Sequence, residues 1–212
     1  MDGYDSTPPG SIPAIPPNMP QVPPNRFTRW LGRSFLRVFG WKVVGTLPDI
    51  PKLVLIVAPH SSNWDGIWGM AAKIALGFKV RVLGKAQLFW WPLGPLLRKL
   101  GAVPVDRSSP HGTVEQAVAL IRDSDRMWFA LTPEGTRRKV ERWKPGFWHI
   151  ARAAGVPVLP AYFDYPSRTI GIGPTFELGE DMRADIARLQ RWYAPYRGRN
   201  HDVVQPPTQE CQ

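Results

Sequence analysis

The chain has 212 residues, and 43% of them are hydrophobic, which suits one domain with a substantial core and excludes wholesale disorder. Lys and Arg number 27 against 17 Asp and Glu, a formal net charge of +10, so the partners to expect are anionic: nucleic acid, anionic lipid or phosphorylated substrates. The 10 Trp suit a membrane–water interface as well as a core, and the single cysteine, Cys211, excludes an internal disulfide or a cysteine metal cluster.

Residues 1–25 are rich in proline and show no hydrophobic period, which predicts a disordered or extended arm. They contain neither a basic n-region nor an apolar h-region, so no secretory leader is expected. In residues 26–42, Arg26, Arg29, Arg33 and Arg37 recur at helical spacing, with Phe27, Trp30, Leu31, Phe35 and Val38 on the other side. Four arginines without an acid, opposite aromatic residues, are the composition of a helix lying in a membrane interface. The alternative is a surface helix packed on the domain. The least charged long stretch, Leu53–Ala72, contains Pro59, His60, Asn63 and Asp65, so it is not read as a membrane span. Attachment to a membrane would be peripheral, on its cytoplasmic face.

A domain is expected over 43–196. Lys52–Ala58 is an aliphatic strand between Pro51 and Pro59, and Trp64–Leu76 is a helix with Ser62 or Asn63 as N-cap. Strands follow at Val80–Leu83, Ala102–Val105, Met127–Leu131, Val156–Tyr162 and Thr169–Ile172. Helices are expected at Pro92–Leu100, Gly112–Arg122, Gly146–Ala154 and Arg183–Tyr193. This alternation predicts an α/β sandwich, a single domain whose mainly parallel central sheet is flanked by helices. The tail, 197–212, reads as flexible.

In such sheets function gathers just past the carboxyl ends of strands. After the first strand come His60 and Asp65. They are five apart and would not share a face of one helix, but could meet if His60 sits in the loop and Asp65 in the first turn. A neutral imidazole could then take a proton from a hydroxyl while the carboxylate fixes its tautomer. A capping Asp beside an incidental His is the competing explanation. After the third strand come Asp106 and Arg107. After the fourth come Pro133, Glu134, Gly135, Thr136 and Arg137. Arginine supplies a planar fork for phosphate oxygens, and two arginines, each just past a strand, could converge on one anion.

These segments together resemble the glycerolipid acyltransferase family, whose bacterial members acylate lysophosphatidic acid. The family's His, four residues, Asp is matched by His60 and Asp65. Its second motif resembles Gly84-Lys85 through Gly101–Arg107. Its Glu-Gly-Thr-Arg is matched at Glu134–Arg137, with Lys144 and Gly146 following, and its apolar Val-Pro run at Val156–Pro160. The resemblance implies that His60 is the general base and Asp65 its partner. It implies that Arg107 and Arg137, with Lys85 as a further cation, hold the acceptor's phosphate. Gly135 and Thr136 would shape that pocket and Glu134 would brace the loop. It implies acyl-CoA or acyl carrier protein as acyl donor, a lipid acceptor, peripheral contact with a membrane surface, and neither metal nor other cofactor. Pro59 and Trp64 depart from the family's usual neighbours of this His and Asp. They leave other acceptors, such as an amino-lipid or a glycolipid, open, and a member that has lost activity and only binds lipid is the further alternative.

Competing classes lack their marks. No RRM, KH, zinc-finger or helix-turn-helix pattern supports nucleic-acid binding. No G-x-S-x-G elbow supports a serine hydrolase, and no G-K-[ST] loop supports a nucleotide-binding enzyme.

Overall fold

A computed structural model describes residues 7–23, 25–85, 87, 89–99, 101–105 and 110–206. In chain order the elements are α1 (Arg26–Val38), β1 (Lys42–Gly45), β2 (Lys52–Val57), α2 (Asn63–Leu76), β3 (Val80–Lys85), α3 (Leu93–Lys99), β4 (Ala102–Val105), α4 (Pro110–Arg122), β5 (Met127–Leu131), α5 (Gly146–Ala154), β6 (Val158–Asp164), β7 (Thr169–Ile172) and α6 (Met182–Tyr193). The seven strands form one sheet in the order β1-β7-β6-β2-β5-β3-β4. Neighbours run parallel throughout except β6 and β7. This is the expected mainly parallel α/β sandwich, with β2 in the middle.

Alternation along β2 builds both sides of the core. Leu53 and Leu55 join α1 and α2 residues such as Leu36, Trp68 and Ala75 on one face. Val54 and Ile56 join α4, α5 and α6 residues such as Ile121, Phe147 and Leu189 on the other. Trp128 on β5, 1% exposed, packs on the first face and donates its indole N–H to the Ile50 carbonyl at 2.8 Å. A buried Trp needs such a partner for its one donor.

The helix over α1 forms as expected, capped by the Asn25 side chain accepting from the amides of Phe27 and Thr28. Its burial differs from either simple expectation. Gly32 and Leu36 are the buried positions, and a Cβ on Gly32 would lie 2.6 Å from the Ala75 nitrogen and 3.0 Å from the Ala71 oxygen of α2. The two helices therefore cross in close backbone contact. Phe27, Trp30, Leu31 and Val38 remain exposed. So α1 packs through one narrow stripe and leaves these four apolar side chains uncovered.

Two sequence expectations are corrected. The Pro-rich segment was expected as a disordered or extended arm, yet residues 10–21 dock on the domain. Gly10 donates to the Trp41 carbonyl at 2.8 Å, Val43 to that of Ser11 at 3.0 Å, and Lys79 to that of Pro20 at 2.8 Å, while Met19 is fully buried. Proline-rich chain is already extended, so docking it through backbone bonds and single anchors leaves no period in the sequence. Of the tail expected to be flexible over 197–212, the described part, 197–206, also docks: Val203 is buried in the core and residues 197–201 bond to loops at the site. Strand β1 was not foreseen, being four residues at the sheet edge. Among the described residues no helix is long and apolar enough to cross a membrane.

Candidate active site

The central strand β2 ends at Val57 and the chain passes through Pro59 and His60 into α2. Ser62 is the N-cap of α2: its hydroxyl accepts from the Trp64 amide, and the Asp65 carboxylate reaches back to accept from the Ser62 amide at 2.9 Å. This capping box turns Asp65 toward the loop instead of along the helix. There its Oδ2 lies 3.2 Å from His60 Nδ1. Asp65 is thus both a helix cap and the imidazole's partner, so the capping role does not exclude the pairing. With Nδ1 donating to the carboxylate, the ring presents Nε2 as its basic nitrogen.

Asp65 is 1% exposed. Burial would raise its carboxyl, but hydrogen bonds from His60, Tyr165 and the Ser62 amide outweigh it and hold the group below its ordinary range. Tyr165 donates its hydroxyl to Asp65 Oδ1. Burial and then this carboxylate push the phenol's own pKa up, so it stays a protonated donor. Tyr165 was missed in the sequence. It is the first residue beyond β6, where the strand-end rule would find it, but the strand was expected to stop at Tyr162 and runs to Asp164.

The loop after β5 supports the base from behind. Glu134, 1% exposed, accepts from the His60 amide at 2.8 Å. Burial raises its pKa, offset in part by that N–H. Gly135 follows at φ +65, a left-handed turn in which a Cβ would lie 2.9 Å from Cδ of Lys144. The Thr136 hydroxyl accepts from the Arg138 amide at 3.3 Å, holding the turn, and Arg137 is exposed beside it. Lys85 ends β3, paired in register with Val105 at the end of β4, so its backbone stands at the same sheet end. Arg107 lies outside the described residues. The structure therefore brings His60, Asp65 and Glu134 into direct hydrogen-bonded contact. It puts Gly135, Thr136 and Arg137 on the adjoining loop.

An apolar cavity of about 280 Å³ runs between α2 and the sheet. His60, Asp65 and Gly66 line it where α2 begins, and Leu76, Phe78 and Val80 where α2 ends. Gly69, Ala72 and Ala130 are small lining residues that keep the space open between them. The site thus joins a proton-accepting imidazole, a nearby exposed arginine, and room for a hydrocarbon chain. Among the described residues no three His, Cys, Asp or Glu side chains converge as metal ligands would.

A family model described as Acyltransferase matches residues 44–164. The chain is 30% identical over 146 residues to a 1-acyl-sn-glycerol-3-phosphate acyltransferase of Haemophilus influenzae, covering 62% of this chain and 57% of that protein. It is 33% identical over 145 residues to the Escherichia coli protein of the same name, covering 64% and 58%. The chain thus spans somewhat more than half the length of these relatives. The crystal structure of the 1-acyl-sn-glycerophosphate (LPA) acyltransferase from Thermotoga maritima has the same fold, with a TM-score of 0.56 at 21% identity over 77% of this chain and 75% of that one.

Proposed function

The chain belongs to the acyltransferase family, and we propose that it moves a fatty acyl group from acyl-CoA or acyl carrier protein to the hydroxyl of a 1-acyl-glycerol-3-phosphate-type acceptor. The observation that carries this reading is the His60–Asp65 pair, 3.2 Å apart, lining one end of an apolar cavity. The names of the relatives, which specify this acceptor, support the substrate class.

The acyl chain lies in the cavity with its thioester carbonyl at His60. The acceptor hydroxyl attacks that carbonyl as His60 Nε2 takes its proton. The thiolate then leaves and recovers the proton from the imidazolium as free thiol. Because a thioester is already activated, no covalent enzyme intermediate is needed. General base catalysis of this kind contributes about 10²–10⁴-fold. Asp65 stabilises the imidazolium, and Glu134 fixes the backbone that carries it. Arg137, with Lys85 from the same sheet end and with Arg107, holds the acceptor's phosphate. Holding both reactants makes the step effectively unimolecular.

The acceptor and its acylated product reside in membranes, and α1 suits delivery to that surface. Its exposed Phe27, Trp30 and Leu31 accompany the exposed Arg26, Arg33 and Arg37, which complement anionic headgroups. Peripheral binding to the cytoplasmic leaflet follows from this reading.

The test is thiol release by purified protein given palmitoyl-CoA, with and without lysophosphatidate. Release that requires acceptor, and is abolished in His60→Ala with the fold retained by circular dichroism, is the expected result. Undiminished turnover by His60→Ala would overturn the mechanism.

A further inference from the structure

Beyond α6 the chain doubles back over the site. Arg197 donates its amide to Asp164 Oδ1 at 2.9 Å and accepts through its carbonyl from the Tyr165 amide at 3.0 Å. The amides of Arg199 and Asn200 both donate to the Ser61 hydroxyl, at 2.9 and 3.2 Å, and the Asn200 side-chain amide donates to the Ser61 carbonyl at 2.6 Å. His201 Nε2 lies 3.2 Å from the Arg137 carbonyl. Between these contacts the Arg199 guanidinium lies 5.5 Å from the centre of the Trp64 ring. Val203, 5% exposed, anchors the far end in the core.

One short segment thus grips three loops at once: Ser61, next to the base; Tyr165, which holds the base's carboxylate; and Arg137, the arginine of the phosphate clamp. The Ser61 contacts are specific. Ser61 is 1% exposed, and its hydroxyl and carbonyl receive three donors from the segment. The backbone fits closely too, since a Cβ on Gly198 would lie 2.1 Å from the His201 oxygen and 2.9 Å from the Ser61 hydroxyl. The segment lies beyond the matched family region, which ends at 164.

We propose that Arg197–Val203 is a positioning strap of the active site. Asn200 sets the His60–Ser61 backbone for proton transfer, and His201 sets the Arg137 loop for the acceptor's phosphate. The proposal rests on the acyl-transfer reading for its kinetic consequences. It assigns the two residues different effects. Asn200 acts through the loop of the base, so its loss falls on kcat. His201 acts through the phosphate clamp, so its loss falls on the acceptor KM. Asn200 is exposed and His201 half-buried, which keeps their substitution compatible with folding.

The experiment compares full-length wild type, Asn200→Ala, His201→Ala and His201→Gln. Thiol release from palmitoyl-CoA is followed as lysophosphatidate is varied, and amide hydrogen exchange is followed over residues 59–65 and 133–138. Asn200→Ala should lower kcat by roughly 10-fold with little change in acceptor KM. His201→Ala should raise the acceptor KM by roughly 5–10-fold at unchanged kcat, and His201→Gln, which keeps a donor for the Arg137 carbonyl, should restore it. Each alanine variant should speed exchange in its own loop. Wild-type kinetics in both alanine variants, or equal losses that merely follow a falling Tm, would overturn the strap. If wild type itself transferred to no acceptor, the acyl-transfer reading would fail. Exchange would still decide the strap: unchanged protection of both loops in the alanine variants would refute it.

Discussion

Replacing Asp65 by Asn isolates the charge of the carboxylate from its geometry. The carboxylate receives three donors: the Ser62 amide and His60 Nδ1 on Oδ2, and the Tyr165 hydroxyl on Oδ1. An Asn can keep its carbonyl toward Ser62 and His60 and turn its NH₂ toward Tyr165, whose hydroxyl can rotate to accept. Shape, capping and tautomer then survive, and only the negative charge facing the nascent imidazolium is lost. At an effective dielectric of about 20, unit charges 3.2 Å apart attract by roughly 5 kcal/mol. The His60 ring is 17% exposed and an amide dipole remains, which reduces the loss to roughly 3–4 kcal/mol. That corresponds to a fall of about 10²–10³ in kcat. The same thiol-release assay at saturating acceptor measures it. Stability has its own sign: the folded pKa of Asp65 is below the ordinary 3.8, so the carboxylate's contribution is present above that value and lost as pH falls through the folded value. Asp65→Asn should therefore be less stable than wild type at neutral pH and approach it in acid. A variant with the wild-type circular dichroism spectrum and a kcat within about threefold of wild type would refute the role of the charge.

Glu134 behaves oppositely. Its pKa is raised above the ordinary 4.5, so wild type loses stability as pH rises from that value through the folded one. Glu134→Gln keeps an acceptor for the His60 amide and should unfold at higher urea than wild type at pH 7, with the gain vanishing below about pH 4.5, the ordinary value of the carboxyl. Glu134→Ala leaves that amide without an acceptor and should cost about 1–3 kcal/mol in urea unfolding at pH 7. Arg137→Ala should raise the acceptor KM by at least about 10-fold, as loss of a charge-assisted contact to phosphate predicts, with little change in the donor KM; an unchanged acceptor dependence removes the phosphate clamp. Gly32→Leu places a side chain against the backbone of Ala71 and Ala75 and should destabilise by about 1–3 kcal/mol, read as a lower midpoint of urea unfolding.

The parts of this molecule that were legible in its sequence share a physical property: they are repeated or local. Strands such as Met127–Leu131 and Ala102–Val105 were bounded correctly because short apolar runs end sharply at polar and turn residues. The His60–Asp65 pair was legible because its geometry is made within six residues, by a cap and one helical turn. Contacts distant along the chain were not legible. Tyr165 meets Asp65 across 100 residues and Asn200 meets Ser61 across 139, and nothing near either residue marks it. The Pro-rich segment and the segment after α6 carry no hydrophobic period, so both read as loose. They are nonetheless held, because backbone bonds to exposed strand ends and loops require only an extended chain and an occasional apolar anchor such as Met19 or Val203.

This division follows from how the site is built. Hydrogen bonds local to the β2–α2 turn set the chemistry of His60 and Asp65. They cannot by themselves hold that turn at a fixed place relative to the loop after β5. The Glu134 carboxylate does so from one side, through the His60 amide, and the Ser61 contacts of the strap do so from the other. A residue with a buried hydrogen-bond demand and no local partner was therefore the missing sequence clue. Ser61, beside the base and not itself the cap, was such a residue. Its two oxygens accept from the returning chain.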